Sequence, residues 1–124
     1  MNDLVERLTK EQVVEVSLRP EQRHDLFKAA VDRGYVHIKF TKTKGGTELG
    51  VRMDAAKCDL SKVDWEKGTG TAKIVGGLIL NYVRVKCHAT VDVAKFAGTA
   101  HLEIIEEVTP AQLAKERAER AKQA

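Results

Sequence analysis

The chain is poor in cysteine, carrying only Cys58 and Cys87. A secreted scaffold that leans on disulfides normally carries four or more, so the reading that fits is a reducing, cytoplasmic compartment. Aromatic residues make up 5% of the sequence, too few to suggest a stacking platform for single-stranded nucleic acid. No sign of charge dominates: 21 basic residues against 18 acidic leave +3, spread along the chain and not gathered into a basic stripe. Nucleic acid is therefore not a favoured partner, although Lys39, Lys42, Lys44, Arg52, Arg84 and Lys86, with Tyr35 and Tyr82, would have to form such a surface. There is no run of about 18 apolar residues, and the start of the chain, with Asp3 and Glu6 around Leu4 and Val5, has no apolar run of signal length, so no membrane association is expected.

Several chemistries lack their residues. The only serines are Ser17 and Ser61, and no Gly-x-Ser-x-Gly occurs. Neither Lys44-Gly45-Gly46-Thr47 nor Gly68-Thr69-Gly70-Thr71 matches the phosphate loop or the dinucleotide fingerprint. There is no Cys-x-x-Cys or His-x-x-x-His, and Cys87 and His88, as neighbours on a strand, point to opposite faces. No catalytic residue, metal site or cofactor is assigned. Cys87, between Val85 and Ala89, reads as a small core residue, whereas Cys58, beside Lys57 in an irregular stretch, reads as the more exposed thiol.

What is present is the pattern of a soluble globular domain. Hydrophobic residues make up 43%, charged residues 31%, and the mean hydropathy is −0.32. Residues 13–18 fit a short strand. Pro20 then suits a first helical position, Leu26, Phe27, Ala30 and Val31 recur at helical spacing, and Gly34 fits just past the end, which predicts a helix over 20–33. So short a helix needs an apolar surface to lie on. Residues 35–53 read as a hairpin: Val36, Ile38 and Phe40 alternate with polar residues, Gly45 and Gly46 make the turn, and Leu49, Val51 and Met53 alternate again.

Residues 54–70 have no clean period and read as a long connection with a short helical turn. In 71–80 an apolar run is interrupted by Gly76-Gly77, a turn or a bulge. Alternation is strict from Val83 to Asp92, residues 92–98 read as a connection, and 99–108 alternate again. Aligning the apolar faces of the last two strands sets Ala89 opposite Leu102, Cys87 opposite Ile104 and Val91 opposite Ala100. On the other face His88 then meets Glu103, Thr90 meets His101 and Arg84 meets Glu107. Thr109-Pro110 caps an alanine-rich, charged helix whose only large apolar residue is Leu113, which predicts a solvated tail.

The expected architecture is α+β: an antiparallel sheet of five or six strands, free to curl toward a barrel, with one packed helix at 20–33 and a short C-terminal helix. Residues 1–109 form the domain and 110–124 the helical tail. One helix covers only part of such a sheet, so the apolar surface around 74–80 must be covered by curling, by 54–70 or by another subunit. The preferred function is a small non-catalytic binding or accessory protein acting as a homo-oligomer. The alternative is a small-molecule-binding or enzymatic module with a pocket between helix and sheet, its ligand groups drawn from Trp65, Arg84, His88, His101 and Glu103, with 54–70 as a lid. Weak nucleic-acid binding is the third reading.

Overall fold

A computed structural model describes residues 3–43 and 45–123, with side chains through 119. Along the chain lie α1 (Asp3–Leu8), β1 (Gln12–Ser17), α2 (His24–Arg33), β2 (Tyr35–Phe40), β3 (Thr47–Met53), β4 (Thr71–Leu80), β5 (Val83–Asp92), β6 (Ala97–Glu107) and α3 (Pro110–Gln123). The strands form a closed antiparallel barrel in sequence order, with β6 returning to pair with β1. This is the α+β architecture expected, with the sheet curled to closure. Alternation explains it, because a half-buried strand lays every second side chain inward and closure gives the first and last strands each other as partners. Val14, Val16, Ile38, Phe40, Val51, Ile74 and Leu102 lie at the centre, essentially without solvent contact.

Closure places the connections at two ends. Those after β1, β3 and β5 share one end with α2, residues 54–70 and the turn at 93–96. The loop between β2 and β3, the β4–β5 turn and both terminal helices share the other. At the first end Phe27 of α2 is fully buried, with its ring 5.3 Å from Trp65 and 6.2 Å from Phe96. At the second, Val5 and Leu8 of α1 are sunk into the same core.

Gly76 lets the barrel close. A Cβ there would sit 2.0 Å from the Arg52 carbonyl oxygen, where β3 crosses close to β4. Gly76-Gly77 is thus neither a turn nor a bulge but the interior of a continuous strand; the turn is Asn81-Tyr82, both at positive φ (49° and 63°). Asparagine tolerates that conformation through its short polar side chain.

The structure corrects other expectations. Helix α2 begins at His24, not near Pro20, because residues 19–21 form bends and Arg23 is extended (φ −138°) as the N-cap; Gly34 closes the helix at φ 76° as expected. Residues 54–70 contain two isolated bridges, Asp59–Lys73 and Asp64–Thr69, and turns, among them a single helical turn at 54–58 in which the Asp54 carbonyl accepts from Lys57 N at 2.9 Å and Cys58 N at 3.1 Å. The β5–β6 register differs from the expected one by two residues from Val85 onward and by one before the bulge at Arg84/Val85. Ala89 faces Ala100, Cys87 faces Leu102, Val91 faces Gly98, His88 faces His101, Thr90 faces Thr99 and Arg84 faces Glu106. The cause is the connection: Asp92 and Ala97 already pair, so the turn is shorter than 92–98, and a two-residue shift keeps every side chain on its own face. Gly45 and Gly46 supply positive φ in the β2–β3 loop, while Lys44 lies outside the described residues, as do Met1 and Asn2.

Helix α3 starts on a reciprocal cap. The Thr109 Oγ1 accepts from Gln112 N at 3.1 Å and the Thr109 N–H donates to Gln112 Oε1 at 2.7 Å. It is not wholly solvated, because Glu116 accepts a hydrogen bond from Arg84 and Leu113 is half-buried. No helix among the described residues is long and apolar enough to cross a membrane.

Candidate binding groove

Although the barrel closes, β3 and β4 touch only at Arg52–Gly77 and Met53–Gly76. Beyond those pairs the two strands part, since β3 continues with β2 while β4 continues with β5 past Leu78 to the Asn81-Tyr82 turn. The opening is a groove of about 1060 Å³, flanked by Leu49, Gly50, Ile79 and Tyr82 and crossed by Leu113 and Glu116 of α3. Tyr35, Tyr82 and Ile105, three of the four large apolar residues exposed among the described residues, line it at 39%, 54% and 48% exposure. The Tyr35 ring lies across Gly50, where an added Cβ would meet the phenol oxygen.

Arg84 ties the groove wall to α3. Its Nε donates to Glu106 Oε1 at 3.0 Å and its Nη2 donates to Glu116, and these carboxylates, Glu106 first, push the guanidinium pKa further up, so it stays charged. The register of β5 against β6 slips between Arg84 and Val85, which leaves Ile105, on the outer face, as the extra residue with no partner on β5.

The five residues singled out from sequence do not form one site. Trp65 packs on Phe27 at the far end, and Arg84 lines the groove. His88, His101 and Glu103 meet on the outer face of β5 and β6: the imidazoles stack at 4.9 Å and His88 Nε2 lies 2.9 Å from Glu103 Oε1. The histidines are directly opposed and the glutamate is the diagonal neighbour, the reverse of the expected arrangement. The His88 hydrogen bond holds the Glu103 carboxyl below the usual glutamate range. Among the described residues no group of three or more His, Cys, Asp and Glu is arranged to hold a metal ion. The groove also lies between β3, β4 and α3, not between α2 and the sheet as the ligand-pocket reading placed it.

The thiols have quiet surroundings. Burial pushes the Cys87 thiol up to about 12, which removes it as a nucleophile at neutral pH. Cys58 is the more exposed of the two, as expected, but still half-buried, and its sulfur bridges the backbone N–H and C=O of Val75 at 3.3 Å each.

Sequence reasoning missed the groove. Two signals could have found it: Asn81 before Tyr82 marks a two-residue hairpin that puts an aromatic at its tip, and Ile104-Ile105 breaks the alternation where the bulge falls.

The class that the fold and site define is a small closed antiparallel barrel with a groove on its flank. The chain belongs to the core binding factor beta subunit family, whose model matches residues 2–124. No curated protein matches the sequence. Membership fits a small non-catalytic accessory protein. It overturns the expected homo-oligomer and small-molecule ligand, because that family is a heterodimeric partner of RUNX DNA-binding proteins. In the fold, the 74–76 part of the sheet surface thought to require a second copy is covered by closure and by residues 54–58, whose Asp54 and Cys58 are hydrogen-bonded to Val75, while Leu78 and Ile79 line the groove.

Proposed function

We propose that this chain is the non-catalytic subunit of a heterodimer with a DNA-binding protein, and that it engages that protein through the groove between β3, β4 and α3. The match over residues 2–124 is the observation that carries the reading. The gathering of Tyr35, Tyr82 and Ile105 around one groove supports the choice of face, since aromatic and large aliphatic anchors dominate interface energetics. With +3 net charge spread along its length, the chain is suited to supplying protein surface to its partner and leaving phosphate contacts to it.

Affinity capture with the tagged full chain, followed by mass spectrometry, should return a sequence-specific DNA-binding protein. Added to that protein's DNA complex, the chain should slow its migration and leave the slope of log affinity against log salt unchanged. A chain that binds DNA by itself, or that leaves the complex untouched, contradicts the proposal.

A further inference from the structure

The groove has a backbone as well as side chains. Met53 N donates to Gly34 O at 2.8 Å and Asp54 N donates to Val75 O at 2.7 Å. In an antiparallel ladder these bonds fix the alternation: odd-numbered residues of β3 turn their N–H and C=O toward β2, and even-numbered ones turn away from it. Glu48 and Gly50 therefore direct theirs into the groove, where neither has a partner residue on β4. Across the gap Ile79, two residues past Gly77, does the same from β4, because β4 turns its even-numbered residues toward β5. An open barrel seam with strand edges on both sides is a template for an added strand.

Charge states what that strand should carry. Arg84 is neutralised by Glu106 and Glu116, and Glu48 is paired with Arg19 at 3.3 Å. Arg52 on β3 and Arg117 on α3 also line the groove, and among the described residues neither is engaged in an ion pair. The uncompensated charge of the groove is positive.

The geometry points to an extended, acidic segment of the partner adding as a strand along the 48–50 edge of β3, with alternate carboxylates toward Arg52 and Arg117 and apolar side chains toward Leu49 and Leu78. This rests on the heterodimer reading and specifies its contact. Main-chain bonds to Glu48 and Gly50 supply affinity independent of side-chain sequence, and the arginines select the charge.

The test uses two seven-residue peptides, one alternating valine with glutamate and one alternating valine with lysine, titrated into the isotope-labelled full chain. The glutamate peptide should shift the amide signals of Glu48, Gly50 and Ile79, slow their hydrogen exchange, and bind at least tenfold more tightly than the lysine peptide. The doubly substituted R52E/R117E chain, altered only at exposed positions, should invert that order. Equal binding of both peptides, shifts confined to another face, or no shifts at all would overturn strand addition. If the DNA-binding protein still assembles with the chain in any of those cases, only the strand inference falls. If the glutamate peptide docks as described but no DNA-binding protein assembles, the edge chemistry stands and the partner class falls.

Discussion

The two ends of the barrel are built from the same kind of strand but finished differently. At one end the long connections 18–34 and 54–70 bring spare side chains back over the opening: Phe27, Trp65 and Phe96 pack together, and His24 stacks on Phe96 at 4.7 Å with its Nε2 3.2 Å from the Val93 carbonyl oxygen. Gly68, at φ +64°, makes room for that imidazole, since a Cβ there would lie 2.5 Å from the ring. At the other end β4 and β5 are joined by two residues only, and the terminal helices α1 and α3 that return there leave Tyr82 and Ile105 54% and 48% exposed. A long connection gives the fold its own lid, while a short one leaves aromatic surface for another chain. Stability and recognition are therefore separable, and substitutions should sort accordingly.

The largest effect is expected at the covered end. Phe27→Ala removes a fully buried ring and should lower unfolding free energy by about 3–5 kcal/mol in urea melts; a loss below about 1 kcal/mol would mean that this end is not the stabilising one. Gly76→Ala comes next, because the added methyl meets the Arg52 carbonyl, and should cost about 1–3 kcal/mol while pushing β3 from β4.

At the open end the balance reverses. Tyr82→Asp should leave stability within about 0.5 kcal/mol yet weaken partner binding by about 2 kcal/mol, roughly 30-fold. Glu116→Gln breaks the α3 tie to Arg84 and should cost less than about 1 kcal/mol, since the pair is partly solvated; circular dichroism should show it as fraying of α3 alone. The smallest effect lies on the flank. The Glu103 carboxyl is depressed by its His88 hydrogen bond, so its contribution is present above the ordinary glutamate range and fades as pH falls through the lowered pKa. An NMR titration should show that lowered midpoint, and His88→Ala should return it to the ordinary range.

Much of the fold was legible in the residues, because alternation reports faces directly. Val83, Val85, Cys87, Ala89 and Val91 are all buried, as are Val36, Ile38 and Phe40. Alternation is blind to shifts of two, which is why the β5–β6 pairing came out displaced while the faces stayed correct. Helix α1 went unread because six residues are too few to show a helical period, although Val5 and Leu8 are sunk in the core. Of the candidate site, Arg84 was found for its charge, and Tyr35, Tyr82 and Ile105 were not gathered. They lie on β2, a turn and β6, and only the parting of β3 from β4 brings them to one groove. That parting depends on how barrel closure meets the β4–β5 hairpin, a long-range property that no local period encodes.

The central claim is that the groove, and not the covered end, meets the partner. Hydrogen–deuterium exchange of the full chain, alone and with its captured DNA-binding protein, tests it most directly. Protection concentrated in residues 47–51 and 78–82, with the 54–70 and 93–96 segments unchanged, is the predicted result. Protection at those two segments, with the groove left as exchangeable as in the free chain, would contradict it.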